Sequence, residues 1–200
     1  KELRVAITPE IVKKYKSLGF DVHLSKNYAS HLGISDKDFV TEGAIILNSD
    51  EVILNSNAIL QMNILNDENL KKLKNDQILI GVLNPYTNEQ KLKEVVLKKI
   101  NCFSLELLPR ITRAQSMDVL SSQANLAGYK AVVDSFGYFQ KAIPMMMTAA
   151  GTISAAKVLI VGAGVAGLQA IATAKRMGAI VFATDVRQAS KEQVESLGGK

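Results

Sequence analysis

Residue types that build disulfides, metal sites and aromatic grooves are scarce in this sequence of 200 residues. It has one cysteine, two histidines, no tryptophan and four prolines. A single cysteine excludes a disulfide framework within the chain and fits a reducing, cytosolic compartment. His23 and His31 stand apart from other potential ligands, so we expect no metal site. Cys102 lies in an apolar run, and we expect it to be buried in a strand.

Long hydrophobic runs are absent as well. The longest weakly charged stretch, Ala142 to Ala174, is interrupted by Pro144, Lys157 and three glycines, so no membrane-spanning segment is predicted. The first ten residues lack the pattern of a signal peptide. The net charge of +5 comes from 24 basic and 19 acidic side chains. Because the lysine clusters lie at helical positions without interleaved aromatic residues, we expect solvated helix faces and no nucleic-acid partner.

The clearest functional pattern lies between Lys157 and Asp185. An apolar run leads into three glycines, Gly162, Gly164 and Gly167, and a helical segment and a second apolar run follow. This order predicts a strand, a glycine turn, a helix and a strand, which is the arrangement that binds dinucleotides. Glycine pairs after apolar runs are common by themselves. The interpretation therefore depends on the strand before the glycines, the helix after them and Asp185 at the end of the next strand.

The three glycines have distinct expected roles. Gly162 permits the tight turn off the strand, Gly164 lets bare backbone approach a pyrophosphate, and Gly167 lets the helix pack closely on the strand. The N-terminus of that helix offers free N–H groups and a partial positive charge to phosphates. The alternative is that the glycines serve the turn alone.

The second apolar run ends on Asp185, roughly 20 residues beyond the turn, where a carboxylate accepts hydrogen bonds from the adenosine ribose hydroxyls. A carboxylate there repels a 2′-phosphate, which favours NAD(H) over NADP(H). Arg187 keeps NADP(H) as the alternative, because an arginine near this position can hold the 2′-phosphate.

Apolar segments of strand length alternate with helical segments through the first part of the chain. Strands are predicted at residues 20–24, 44–47, 52–54, 58–61, 78–83 and 101–106, and helices at 9–18, 35–42, 68–74 and 88–99. This alternation is typical of parallel βαβ units, and therefore of an α/β domain with helices on both faces of a sheet.

The pattern from Val119 to about Phe139 is helical and predicts a long helix that bridges two domains. Further helices are predicted at 145–156 and 190–197. A dinucleotide fold needs a third strand beyond that point, so we expect a truncated second domain. The predicted fold class is α/β, with two Rossmann-like parallel-sheet domains joined by a long helix. The expected division is 1–118 for the N-terminal domain, 119–141 for the bridging helix and 142–200 for the start of the NAD(H)-binding domain.

A polar segment from Leu107 to Asp118 follows the last strand of the first domain, where open α/β sheets bind ligands. The sequence resembles the NAD(H)-binding alpha subunits of proton-translocating NAD(P) transhydrogenases. The resemblance lies in this segment, in Ser121 to Tyr129 and in the glycine motif. The resemblance runs nearly end to end, beginning at Arg4 to Glu10. Alanine dehydrogenases share the fold and the glycine motif, but the Arg-Ala-Gln-Ser-Met-Asp segment resembles the transhydrogenase version.

The resemblance implies an oxidoreductase in which hydride passes directly between NADH on this component and NADP⁺ on a partner component. It implies coupling of that transfer to proton translocation through membrane-embedded subunits. It also implies a homodimer, located in the cytoplasm and peripheral on the cytoplasmic face of a bacterial inner membrane. NAD(H) is the cofactor expected on this chain, with NADP(H) on the partner component.

The resemblance further implies which residues form the site. Those expected at the nicotinamide end of NAD(H) are Gln115, Ser116, Met117 and Asp118, supported by Arg110 and Ser121. Those implied as catalytic are Gln115, Asp118 and Arg110. Those expected at the phosphates and the adenosine ribose are Gly162, Gly164, Val165, Gly167, Asp185, Val186 and Arg187. The simpler alternatives are a helix cap for Asp118, surface charges for the arginines and an exposed amide for Gln115.

Alanine dehydrogenase, which deaminates alanine oxidatively with NAD⁺, is the alternative enzyme. That chemistry needs titratable groups beside the substrate. Where such enzymes carry a lysine and a histidine, this chain has Gln61 and the pair Leu83-Asn84, although Arg4 matches their carboxylate-binding arginine. A non-catalytic NAD(H) sensor that signals through a partner is the third possibility.

Overall fold

The computed structural model describes residues 2–200, and the chain divides into two units, Lys1–Met117 and Asp118–Lys200. Three of the four sheets that the described residues form contain only parallel strands, and helices alternate with those strands. The predicted α/β class with parallel sheets in both units is therefore confirmed.

Residues 2–117 form five α-helices and five strands. In chain order they are α1 (Pro9–Ser17), β1 (His23–Ser25), α2 (Asp36–Thr41), β2 (Ile45–Leu47), α3 (Ser49–Asn55), β3 (Ala58–Asn63), α4 (Asp67–Lys72), β4 (Ile78–Val82), α5 (Glu89–Leu97) and β5 (Asn101–Ser104). Short 3₁₀ helices lie at Ser30–Leu32, Leu105–Leu107 and Thr112–Met117. Strands β1 and β2 form one parallel sheet, and the others form a second with the order β3-β4-β5.

Two apolar clusters hold this unit together. Helices α3, α4 and α5 bury Ile53, Leu70 and Val95 against Leu79 of the central strand β4. Around β1 and β2, the second cluster is centred on the fully buried Phe39 of α2 and Val12 of α1. Burial of such side chains supplies most of the free energy that holds helices on a sheet.

The second unit begins with a long helix. Its elements are α6 (Val119–Tyr138), β6 (Met146–Thr148), β7 (Gly151–Ile153), β8 (Lys157–Val161), α7 (Val165–Arg176), β9 (Ile180–Thr184) and α8 (Ser190–Ser196). Strands β8 and β9 pair in parallel from Lys157↔Ile180 to Val161↔Thr184. Their inner face packs on α6, α7 and α8 through Val132, Ile171, Val181 and Val194.

One predicted helix is instead a β-hairpin. The sequence predicts a helix over residues 145–156, but β6 and β7 pair antiparallel, with Thr148 opposite Gly151. Gly151 has φ +142°, a value that a helix does not allow, and the Thr148 hydroxyl accepts a hydrogen bond from the amide of Ala150 at 3.2 Å. The turn residues therefore override the helix preference of alanine and methionine.

Two smaller expectations in the first unit are also wrong. The sequence predicts a strand over residues 52–54, but they lie within α3, because Asn48 starts a helix there and its amide donates to the Glu51 carboxylate at 2.9 Å. Cys102 does lie in a strand, but its side chain is exposed, since β5 is at the end of its sheet. Within residues 2–200, no helix combines the length and the apolar character that a bilayer crossing requires.

Candidate functional site

The glycine turn connects β8 to α7, as predicted. Gly162 has φ +93°, in the left-handed region that favours glycine, and its amide donates to the carbonyl of Thr184 at 2.7 Å. A Cβ at Gly167 would lie 1.8 Å from the carbonyl oxygen of Gly162. Gly167 therefore packs against the turn itself, with Ile160 of the strand farther away.

Gly164 differs from its two neighbours in the motif. Its φ is −78°, which any residue adopts, and a Cβ built there meets no protein atom within 4 Å. Neither backbone strain nor packing among the described residues explains a glycine at this position. A ligand that approaches the backbone would explain it, which agrees with the role expected for the second glycine of the motif.

The first turn of α7 is suited to an anion. Gly164 is the cap residue and offers no side chain to the free amides, and no acidic residue lies in the first turn. These amides therefore have partial positive charge that no protein carboxylate in the first turn offsets. Val165 is partly exposed beside them.

Asp185 is tied to the glycine turn and to Arg187. One carboxylate oxygen, Oδ2, accepts from the Ala163 amide at 2.7 Å and from Arg187 Nη2 at 3.1 Å. The other, Oδ1, accepts from the Arg187 amide at 2.8 Å and from Arg187 Nε at 3.0 Å. A carboxylate has about four acceptor positions, so these bonds fill them. A ribose hydroxyl can reach Asp185 only if the guanidinium moves aside.

This environment keeps Asp185 ionised. The Arg187 guanidinium, followed by the amides of Arg187 and Ala163, holds the pKa of the carboxyl well below its usual range. The Asp185 side chain is only 10% exposed, whereas that of Arg187 is 60% exposed. Val186, between them, is fully exposed.

Asp118 caps the start of α6. Its Oδ1 accepts from the Ser121 amide at 2.9 Å, and its Oδ2 accepts from the Ser121 hydroxyl at 2.6 Å. The capping role considered from the sequence is thus present. It does not remove Asp118 from the candidate site, because the pair presents a carboxylate and a hydroxyl together, both half-buried.

The remaining candidates at the nicotinamide end belong to the first unit. Gln115, Ser116 and Met117 are consecutive exposed residues of the 3₁₀ helix Thr112–Met117, which is anchored by the buried Ala114. Arg110, also exposed, precedes this helix. The candidate residues therefore form two groups, one around the glycine turn and one at the start of α6. The candidates in the segment 110–117 are exposed to solvent.

A cleft of about 600 Å³ in the first unit is a poor alternative site for a diphosphate. It is lined by Thr8, Pro9, Glu10, Gly33, Ile34, Asp38, Thr41 and Glu42. Three carboxylates and no cation line it, so it repels a phosphate. Among residues 2–200, no group of three or more His, Cys, Asp or Glu side chains is arranged to hold a metal ion.

The sequence interpretation missed the amide of Ala163 as a partner of Asp185. Every residue other than proline has the same backbone amide, so residue type does not indicate which amide forms such a bond. Only the fold could reveal it. The packing of Gly128 of α6 against the backbone of Ala166 was missed as well. The available signal was an isolated glycine inside a helical pattern, where glycine weakens the helix.

Two family models match the chain, one over each of its two regions. "Alanine dehydrogenase/PNT, N-terminal domain" matches residues 1–127, and "Alanine dehydrogenase/PNT, C-terminal domain" matches residues 131–200. An NAD(P) transhydrogenase alpha-subunit protein of Rhodospirillum rubrum is 48% identical over 205 residues, which cover 100% of this chain and 53% of that protein. An alanine dehydrogenase of Methanococcus maripaludis is 29% identical over 189 residues, covering 92% of this chain and 50% of that protein.

A solved structure agrees with these sequence matches. The crystal structure of transhydrogenase from Sinorhizobium meliloti matches with a TM-score of 0.95 at 49% identity, covering 100% of this chain and 57% of that one. The chain spans about half the length of the curated relatives it matches. With both regions matched, the chain belongs to the alanine dehydrogenase/PNT family, and its identity to transhydrogenase alpha subunits exceeds its identity to the alanine dehydrogenase.

Proposed function

We propose that this chain is the NAD(H)-binding part of a proton-translocating NAD(P)⁺ transhydrogenase, which passes hydride from NADH to NADP⁺ on a partner component. The observation that carries the NAD(H)-binding part of the proposal is the glycine turn, where Gly164 has open space at its Cβ position beside the amides of α7. Asp185 lies at the same turn, held by the Ala163 amide. An anion-binding helix end and a ribose acceptor are thus adjacent, as a dinucleotide requires.

The residues around the turn bind different groups in the adenosine half of the cofactor. The amides of the first turn of α7 bind the pyrophosphate, Val165 contacts the cofactor beside them, and Asp185 accepts the ribose hydroxyls. Arg187 turns away from Asp185 when the ribose arrives and lies with Val186 beside the adenosine. Because Asp185 repels a 2′-phosphate, the turn selects NAD(H) over NADP(H).

The nicotinamide half is assigned to Gln115, Ser116, Met117 and Asp118, with Arg110 and Ser121 in support. Bound NADH supplies the hydride. Direct transfer between two nicotinamides moves no proton at the reacting carbons, so the protein needs no general acid or base there. Amides, hydroxyls and a carboxylate suffice to orient the ring, and orientation contributes several kcal/mol to such a reaction.

The titratable groups that alanine dehydrogenases use are replaced at the corresponding positions of this chain. Oxidation of alanine needs a titratable group beside the imine, and Gln61 and Leu83-Asn84 supply none. The arginine expected to bind the substrate carboxylate, Arg4, is bound to the Glu2 carboxylate through Nη2 at 2.8 Å. These observations favour transhydrogenation.

We further propose that the chain forms a homodimer and binds membrane-embedded and NADP(H)-binding subunits at the cytoplasmic face of the membrane. The hairpin β6–β7 supports a protein contact, because Met146 and Met147 of β6 are 50% and 71% exposed, and Met145 just before it is 59% exposed. An isolated two-stranded hairpin is marginally stable, so such a ribbon gains from a partner surface. Met147→Lys in the full-length protein should lower the dimer fraction in light scattering; a wild-type monomer would contradict the homodimer.

The test of the main proposal combines binding and transfer in the full-length protein. NADH should bind the wild type, and Gly164→Ala should bind it at least roughly tenfold more weakly because the methyl group occupies the approach to the amides. Thermal unfolding should match the wild type, since the position is open and its φ is ordinary. With the NADP(H)-binding partner component, NADPH should reduce an NAD⁺ analogue without any amino acid. Alanine-dependent NADH formation would instead establish the dehydrogenase, and binding without either reaction would favour a sensor.

A further inference from the structure

Helices α6 and α7 pack along one face, and Gly128 of α6 lies against the backbone of α7. A Cβ at Gly128 would lie 2.1 Å from the carbonyl oxygen of Ala166 and 2.8 Å from its carbonyl carbon. Both atoms are backbone, so no side-chain rotation could relieve the overlap. Any residue larger than glycine at position 128 therefore has to push the two helices apart locally.

The same helix contains a second glycine that provides a comparison. Gly137 lies nine residues further along α6, and a Cβ there meets nothing within 4 Å. Gly137 is the last residue but one of the helix, so it is a control for the change from glycine to alanine where no neighbour is in reach. Close approach to a neighbour is thus specific to Gly128.

The contact joins two parts of the proposed cofactor site. Ala166 belongs to the first turn of α7, between Val165 and Gly167, where the phosphate-binding amides lie. Helix α6 starts at the other part, the capped pair of Asp118 and Ser121. One and two turns beyond Gly128, Val132 and Phe136 continue the same packing face against α7. At Gly128, α6 therefore lies directly against the first turn of α7.

We infer that Gly128 is a positioning residue, which sets the distance between the Asp118 end of α6 and the phosphate-binding end of α7. The inference rests on the proposed function, because it matters only if one ligand contacts both ends. Relief of the overlap needs a shift of about 1 Å or more, and a displacement of that size within a site can cost roughly a hundredfold in rate. A rigid-body shift of α6 relative to α7 keeps the geometry within each helix end and changes the separation of the two ends.

The experiment compares two ligands on the full-length protein. ADP contacts only the part around the glycine turn and Asp185, whereas NADH contacts both parts. Gly128→Ala should weaken NADH binding roughly tenfold or more while ADP affinity stays within about twofold. Gly137→Ala should leave both affinities unchanged. Val132→Ala, which removes buried volume from the same interface, should lower thermal stability and leave the ratio of the two affinities unchanged.

Each contrary result has a distinct meaning. Equal losses for ADP and NADH in Gly128→Ala would overturn the inference, because they would place the effect at the phosphate site alone. Unchanged NADH affinity in a folded Gly128→Ala would overturn it too. So would a Gly128→Ala protein that cannot fold while Val132→Ala folds, since the glycine would then serve folding. A wild type that binds neither ligand would overturn the proposed function itself, and this is seen before any variant is compared.

Discussion

The backbone amide of Ala163 donates a 2.7 Å hydrogen bond to Oδ2 of Asp185, so the turn after β8 is attached to the end of β9. Asp185 therefore does two things in this fold: it holds the glycine turn in place, and it presents an acceptor to the ribose in the proposed complex.

Asp185→Asn keeps the shape of the side chain and removes its charge. We expect NADH to bind roughly tenfold to a hundredfold more weakly, because hydrogen bonds to a carboxylate are stronger than those to a neutral amide. Calorimetric titration of the full-length protein measures this. The control is Asp134→Asn, on the exposed face of α6, where Lys130 is its partner. Equal dissociation constants for wild type and Asp185→Asn would remove Asp185 from the site.

The bond between Ala163 and Asp185 should withstand mild acid. Because the folded-state pKa of Asp185 is lowered, its stabilising contribution is complete above the unfolded-state value of about 3.9 and is lost as the pH falls through the lowered one. The amide resonance of Ala163 should therefore stay constant from about pH 8 to pH 5 and shift only below about pH 4. A midpoint near or above pH 4.5 would contradict the arrangement described for Arg187 and Asp185.

Arg187→Gln tests the choice between the two cofactors. The guanidinium is the group that could meet a 2′-phosphate at this edge, so its removal should weaken residual NADPH binding roughly tenfold and NADH binding much less. Fluorescence titration with both nucleotides gives the ratio. Arg176→Gln, at the end of α7, is a matched change of charge away from the turn. An equal loss for both nucleotides would mean that Arg187 does not distinguish them.

Gln115→Asn tests the exposed 3₁₀ segment. If this segment orients the nicotinamide ring, shortening the side chain by one carbon should slow hydride transfer more than it weakens NADH binding. Single-turnover transfer to the partner component, together with NADH titration, separates the two effects. Gln90→Asn on the exposed side of α5 is the control. Parallel losses in binding and transfer would indicate plain cofactor affinity.

Tyr28→Phe concerns stability in the first unit. The Tyr28 hydroxyl accepts from the amides of Ala6 and Ile7 at 2.8 and 3.2 Å, while its ring packs edge-on against Phe39. Removing the oxygen leaves two part-buried amides unpaired, which should cost about 1–3 kcal/mol. Hydrogen exchange of these amides and denaturant unfolding report the loss. The same change at the exposed Tyr86 should have no effect, and equal results for the two tyrosines would refute the role of this hydroxyl.

Much of the fold could be predicted from local patterns. The strands β8 and β9 and the helices α6 and α7 agree with the sequence prediction to within a few residues, because apolar periodicity and glycine stops are properties of short stretches. The hairpin at β6–β7 and the helix α3 do not, since Met, Ala, Val and Ile fit more than one local structure. There the outcome depends on single turn or cap residues, Gly151 and Asn48.

By itself, the sequence determined the α/β class, the order strand, turn, helix and strand, and the presence of an acid after the second strand, since each of these is set by residue type and spacing. Only the tertiary structure decided which donors fill the acceptor positions of Asp185, that Gly164 has open space at its Cβ position, and that Gly128 meets the backbone of Ala166. The bond from Ala163 to Asp185 and the contact of Gly128 with Ala166 join residues far apart in the chain, through backbone atoms that every residue has. Their identity therefore depends on how the elements pack.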